Sequence, residues 1–149
     1  MIKSIQKGQS LFEVVLALGV ITLITVGMVI LATNSIKNAT FSKNKNIATK
    51  YAQEAIEWLR SVRDTNPSLF IANSITASYC LDTLSWANTG SCGSSEYLGG
   101  TIYLRQVNFS SSVVSGKNLV EAEVVVSWSD PSGSHSVKST TSFADYREK

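Results

Sequence analysis

The sequence predicts an α+β protein in which a long N-terminal helix, part membrane-spanning and part amphipathic, packs on a small antiparallel β-sheet head. Three observations support this prediction. An uncharged apolar run occupies residues 14–32, a helical apolar stripe comes after it, and alternating apolar and polar residues mark the C-terminal third. The 149 residues suffice for one hydrophobic core, and a charged content of only 16% argues against a disordered chain.

The run from Val14 to Ala32 is long enough to cross a membrane. Its 19 residues would extend about 28 Å as an α-helix, close to the hydrocarbon thickness of a bilayer. Thr22 and Thr25 are its only polar side chains, so it lacks the polar face of a buried core helix. A secretory signal peptide is the alternative, but its apolar region is usually shorter and ends at a small-residue cleavage site. A retained membrane helix is therefore favoured.

An ionisable residue, Glu13, stands at the start of the apolar run. Within a membrane it needs a partner, and placement in the headgroup region is the alternative. The segment Lys7–Glu13, KGQSLFE, with Lys3 before it, resembles the N-terminal signal of the type IV pilin and type II secretion pseudopilin superfamily. In that family a membrane-embedded aspartic peptidase cuts after a glycine five residues before a glutamate, which is the spacing of Gly8 and Glu13. Gln9 replaces the phenylalanine usual at the first mature position, a departure that puts the customary N-methylation in doubt.

The resemblance implies a division of the chain into four parts. Residues 1–8 are the leader removed by prepilin peptidase, and residues 9–33 form the transmembrane and filament-core helix. Residues 34–66 continue as an amphipathic helix into the head, and residues 67–149 form a globular β head with a loop disulfide. The precursor would be a single-pass inner-membrane protein with an extracytoplasmic C-terminal head.

The resemblance also implies partners and an assembly contact. Cleavage after Gly8 creates an α-amino group on Gln9, which is largely cationic near neutral pH. Glu13 lies one helical turn from it and could equally reach the amine of a neighbouring subunit. In the family this glutamate recruits and registers incoming subunits, so Glu13 and the Gln9 amine are the expected assembly pair. The expected partners are the prepilin peptidase, other pilin or pseudopilin subunits, the inner-membrane assembly platform and the membrane.

Beyond the apolar run, a second stretch has the spacing of an amphipathic helix. Its apolar positions recur at intervals dominated by three and four residues: Phe41, Ala48, Tyr51, Ala52, Ala55, Ile56, Leu59 and Val62. Arg60 and Arg63 suit the negative end of a helix, and Pro67 lies just beyond. An unbroken helix from Leu11 to Val62 would be about 78 Å long, so half of it would have to protrude from so small a domain. The segment Ala48–Asp64, which contains AQE, also resembles minor pilins and pseudopilins.

Four lysines lie beyond the apolar run without an acidic residue among them: Lys37, Lys43, Lys45 and Lys50. A solvated helix face is the simplest interpretation, and contacts with acidic groups of neighbouring subunits, anionic lipid or DNA are the alternatives. Four lysines alone indicate no clear nucleic-acid site. Counted against the two lysines before the run, they favour a cytoplasmic C-terminus, whereas the resemblance implies an exported one. The exported head is preferred, partly because of the cysteines.

The two cysteines, Cys80 and Cys92, predict a disulfide. They form no CxxC motif and have no histidine nearby, which argues against a redox catalyst or a metal site. An even number of cysteines in an exported head favours a disulfide, which contributes about 3 kcal/mol for a loop of this length. Two reduced cysteines in a cytosolic protein are the alternative.

The head is predicted to contain three antiparallel strands after a segment from Pro67 to Gly100 that forms loops with at most short elements. The first begins near Thr101 and places Ile102 and Leu104 on one face, with the other face formed by Tyr103, Arg105, Val107 and Phe109. The clearest strand, Leu119–Trp128, alternates apolar residues with glutamates, and the turn SDPSGS precedes a third strand over residues 135–143. Such a sheet could cover the apolar stripe of the helix.

No catalytic constellation is recognisable in the sequence. His135 is the sole histidine, Glu121 and Glu123 alternate on an expected solvent face, and no spacing resembles a calcium loop. We expect no enzyme activity, no cofactor and no metal. The leading hypothesis is a structural subunit of a type IV pilus-like or type II secretion pseudopilus filament, in adhesion, motility, DNA uptake or secretion. A membrane-tethered extracytoplasmic binding domain that does not polymerise is the alternative, and an anchored enzyme would need a constellation that is not found.

Overall fold

The computed structural model describes residues 9–114 and 117–144 and confirms the α+β class. Two helices and a short 3₁₀ helix (Leu98–Gly100) accompany one five-stranded antiparallel sheet with the order β2-β1-β3-β4-β5. The elements are α1 (Gln9–Thr65), α2 (Pro67–Ser74), β1 (Ser78–Cys80), β2 (Asn88–Thr89), β3 (Tyr103–Val114), β4 (Lys117–Asp130) and β5 (Gly133–Ala144). The chain divides into two compact units, Met1–Lys43 and Asn44–Lys149.

The long helix ends close to the predicted position, and a short second helix follows it. Helix α1 ends at Thr65 with Arg63 in its last turn, where a cation favours the negative helix end. Asn66 then caps α2, since its Oδ1 accepts a hydrogen bond from the Leu69 N–H at 3.1 Å, and Pro67 occupies the first helical position. The proline therefore starts a second helix within a segment for which the sequence predicts loops with at most short elements.

The core of the second unit is built from the predicted helix stripe and the inward face of the sheet. On the helix, three small residues, Ala48, Ala52 and Ala55, are at 0% exposure, so the sheet can approach closely there, and Leu59 is at 0% one turn later. The sheet contributes Val107, Ala122, Val124, Val126 and Trp128, which confirms the predicted alternation of β4. Phe41 is predicted to belong to the stripe, but it is 39% exposed, so the buried stripe begins at Ala48.

The aromatic side chains of the second unit pack between its elements. Trp58 of α1 lies against Trp86 with ring centroids 4.7 Å apart, and Trp86 meets Tyr79 of β1 at 5.0 Å. Phe70 of α2 contacts Phe143 of β5 at 4.9 Å in an edge-to-face arrangement. These contacts join both helices to the sheet.

The sheet has five strands where the sequence predicts three. Strands β3, β4 and β5 form the predicted meander, with Tyr103 opposite Trp128 and Asp130 opposite Gly133. The two additional strands are three and two residues long, and β1 pairs with β3 so that Tyr79 lies opposite Val107. Alternation cannot be recognised over two or three residues, which is why the sequence does not predict these strands.

Candidate functional site

The predicted processing and assembly residues lie at the start of α1. Gly8 is outside the described residues, and Gln9 is the first residue of the helix. Glu13 lies on the next turn and is exposed, between Phe12 at 69% and Val14 at 56% exposure. Among the described residues Glu13 forms no ion pair.

The helix segment that follows Glu13 exposes apolar side chains all around. The large apolar side chains from Leu11 to Leu31 are all between 47% and 76% exposed. The hydroxyls of Thr22, Thr25 and Thr33 each donate to a main-chain carbonyl oxygen three or four residues earlier at 2.8 Å, so these polar atoms need no outside partner. In the described part of the chain, one helix, Leu11–Thr65, is long and apolar enough to cross a membrane.

The structure joins Cys80 and Cys92 in the predicted disulfide, with Cα atoms 4.7 Å apart. Cys80 ends β1 and is buried, whereas Cys92 lies in the loop that leads to β3. The disulfide therefore attaches this loop to β1. The Cys92 N–H also donates to Oε1 of Gln106 on β3 at 3.4 Å. A carboxylate oxygen of Glu96 lies within 4.8 Å of both sulfur atoms, but both sulfurs are used in the disulfide and cannot act as thiolate ligands.

A half-buried ion pair that sequence patterns do not reveal connects α1 to the sheet. Arg105 of β3 is only 3% exposed, and its Nη1 lies 2.7 Å from Oε2 of Glu54, which is 53% exposed. The same guanidinium donates through Nε to the Leu81 carbonyl at 3.0 Å and through Nη1 to the Tyr51 carbonyl at 3.3 Å. Arg105 of β3 thus connects helix α1 with the loop after β1. The sequence feature that could have revealed this pair is the position of Arg105 on the inward face of a predicted strand, because a buried arginine must be paired.

The outward face of the sheet carries two shallow depressions that share Leu104 and Ser127. The larger has a volume of about 470 Å³ and no charged side chain; it is lined by Tyr97, Thr101, Ile102, Leu104, Ser127, Trp128, Ser129 and Ser134. The smaller, of about 220 Å³, includes the pair of Glu123 and Lys138, whose Oε1 and Nζ are 2.9 Å apart. The hydrogen bond from Lys138 holds the pKa of the Glu123 carboxyl below its usual range.

The sole histidine has an acidic neighbour that the sequence does not link to it. In the β4–β5 hairpin, Nε2 of His135 lies 3.1 Å from Oδ1 of Asp130, and the same oxygen accepts from the Ser132 N–H at 2.7 Å. These hydrogen bonds, the one from Ser132 first, lower the pKa of Asp130. A carboxylate that accepts a main-chain N–H two residues on is a common turn motif, so the pair shapes the hairpin.

No protein-family model, curated protein or solved structure matches this chain. A long apolar N-terminal helix together with a small antiparallel sheet is compatible with the pilin fold. The features that carry a functional assignment are therefore those of the chain itself, above all Glu13 on an exposed apolar helix.

Proposed function

We propose that the chain is a structural subunit of a type IV pilus-like or type II secretion pseudopilus filament. It would be inserted in the membrane as a precursor, cleaved after Gly8 and polymerised through its N-terminal helix. The observation that carries the proposal is an ionisable residue, Glu13, at the start of a helical segment whose large apolar side chains, from Leu11 to Leu31, are all exposed. This role is structural, and we assign no catalytic activity.

The apolar surface of α1 requires two successive environments. A monomeric soluble protein rarely leaves so continuous an apolar surface in water. Before assembly, a bilayer covers the side chains between Leu11 and Leu31, because this stretch has the length and composition of a membrane span. In a filament, the same side chains would pack against equivalent helices of neighbouring subunits.

Glu13 supplies the specificity that apolar packing lacks. A carboxylate in an apolar environment is costly without a partner, and a cationic amine is a suitable one. Cleavage after Gly8 would provide this amine on Gln9, four residues before Glu13 in the sequence. When the Glu13 carboxylate of one subunit binds the Gln9 amine of the next, the pair fixes the axial register between two smooth apolar helices.

The test is incorporation of a Glu13→Ala variant into filaments in cells that express a prepilin peptidase and a matching assembly system. We expect normal membrane insertion and at least a roughly tenfold loss of incorporation, the effect of losing about 1.4 kcal/mol from the subunit contact. Glu57→Ala is the matched control, because Glu57 is also an exposed glutamate of α1 but lies in the second unit. Normal incorporation of the Glu13→Ala variant would refute the assembly role.

A membrane-tethered binding domain that does not polymerise is the second candidate. The observation in its favour is the uncharged depression of about 470 Å³ on the outward face of the sheet, which combines apolar and hydroxyl side chains. The two candidates differ in what Glu13 does. A tether would retain its cell-surface abundance and its ligand binding in the Glu13→Ala variant, and it would not sediment with filaments in either form.

A further inference from the structure

Two lysines of the first unit lie on α1 just beyond the apolar segment. Lys37 and Lys43 are both exposed, and within residues 9–114 and 117–144 neither forms an ion pair or a side-chain hydrogen bond. From Val14 up to Glu54 the sequence contains no acidic residue that could neutralise them. The first unit therefore ends in a locally cationic segment attached directly to an apolar helix.

The helical rise places these lysines at the height of a membrane surface. Lys37 is five residues beyond Ala32, or about 7.5 Å along the helix axis, and the headgroup layer on each side of a bilayer is roughly 5–8 Å thick. Lys43 is eleven residues beyond Ala32, or about 16 Å, which is about one Debye length outside that layer at physiological salt. A lysine side chain can also direct its ammonium group toward the phosphates.

The directions of the two side chains favour a lipid surface over a protein partner. The two residues are six positions apart, which separates them by about 120° around an α-helix. A single partner lying along one side of the helix would contact one of them more closely than the other. Lipid headgroups surround a spanning helix on every side, so both ammonium groups would meet phosphates.

We propose that Lys37 and Lys43 bind the phosphate groups of anionic phospholipids at the extracytoplasmic membrane surface. The inference rests on the proposed function, because it requires the apolar segment to lie in a bilayer. The contact stabilises the membrane-held subunit and must be broken when the subunit enters a filament. It also gives a role to basic residues that oppose the usual charge bias of an exported segment.

The experiment measures lipid selectivity of the full chain in nanodiscs that contain phosphatidylcholine and phosphatidylglycerol. Electron paramagnetic resonance of spin-labelled lipids gives the relative association of the two headgroups with the protein. We expect a preference for phosphatidylglycerol that falls about fivefold in Lys37→Gln, the fold-change that corresponds to about 1 kcal/mol. The fall should be smaller in Lys43→Gln, because Lys43 lies about one Debye length farther from the surface, and largest in the double variant. The preference should also weaken as salt is raised.

Lys50→Gln is the matched control, because Lys50 is an exposed lysine of α1 that lies eighteen residues beyond Ala32, in the second unit. We expect it to keep the full preference. An unchanged preference in the double variant, or an equal loss in Lys50→Gln, would overturn the proposal. A chain that enters the bilayer without preferring phosphatidylglycerol overturns this inference alone. A chain that does not enter the bilayer overturns the proposed function as well.

Discussion

The half-buried pair of Arg105 and Glu54 allows a prediction of how strongly the head depends on one ion pair. Replacement of Glu54 by alanine leaves a guanidinium that is 3% exposed without its counter-charge. Removal of one partner of a fully buried pair costs about 3–5 kcal/mol. Because Glu54 is 53% exposed, water can partly replace its carboxylate, and we expect a smaller loss of about 2 kcal/mol.

Replacement of Arg105 by methionine should behave differently. It removes the hydrogen bond to the carbonyl of Leu81, a residue at 0% exposure, so we expect a cost of about 1–3 kcal/mol. The Glu54 carboxylate stays in water, however, and has no buried charge left to neutralise. In the Arg105→Met background, Glu54→Ala should therefore cost no more than about 0.5 kcal/mol, the effect of an ordinary surface substitution.

Denaturant unfolding of the full chain in mild detergent measures these free energies as a double-mutant cycle. All three tryptophans belong to the second unit, so their fluorescence reports unfolding of the head. Glu57→Ala is the control, because Glu57 forms an equally short but exposed pair with Arg60 and should cost at most about 0.5 kcal/mol. An equal cost of Glu54→Ala in both backgrounds, or a cost no larger than that of Glu57→Ala, would refute the reasoning.

Three further predictions concern the head. Replacement of Cys80 and Cys92 by serine together should lower the free energy of unfolding by about 3 kcal/mol, measured by denaturation, and a reductant should then have no further effect. The Glu123 carboxyl, monitored by NMR titration, should have a pKa below its usual range that rises in Lys138→Gln. Because folding lowers the pKa of Glu123, its ion pair with Lys138 stabilises the folded head fully at a pH above the pKa of this carboxyl in the unfolded chain. The stabilisation is lost as the pH falls through the pKa of the carboxyl in the folded chain. Gly133 has a φ of 131°, so Gly133→Ala should destabilise the hairpin by about 1–2 kcal/mol in the same denaturation assay, and an unchanged midpoint would contradict this strain.

The parts of the fold that the sequence predicts are those with a long repeat. Alternation over ten residues identifies β4 and its buried face, and spacings of three and four residues identify the helix stripe from Ala48 onward. Strands β1 and β2 are too short to alternate, and they depend on hydrogen bonds to β3 and on the disulfide. Helix α2 does have a local signal, Asn66 before Pro67, but the same proline also fits the end of α1.

Some residues of the candidate site are likewise predicted from the sequence, and others are recognised only in the structure. Gly8, Gln9 and Glu13 are predicted from a short motif with fixed spacing, and the disulfide from an even number of cysteines in an expected exported head. Alternation assigns Arg105 to the inward face of its strand, but its partner Glu54 lies 51 residues earlier in the chain. Only the packing of α1 on β3 shows which acid neutralises it. The same holds for Asp130 and His135, which the register of the hairpin brings together.

Processing by a prepilin peptidase decides whether the chain is made as a filament subunit. The measurement is the intact mass of the chain after co-expression with the peptidase, with Gly8→Leu as the uncleavable control. We expect removal of Met1–Gly8, which leaves 141 of the 149 residues and Gln9 at the N-terminus. An intact 149-residue chain, in cells where a known prepilin is cleaved, would contradict the filament function and favour the membrane tether.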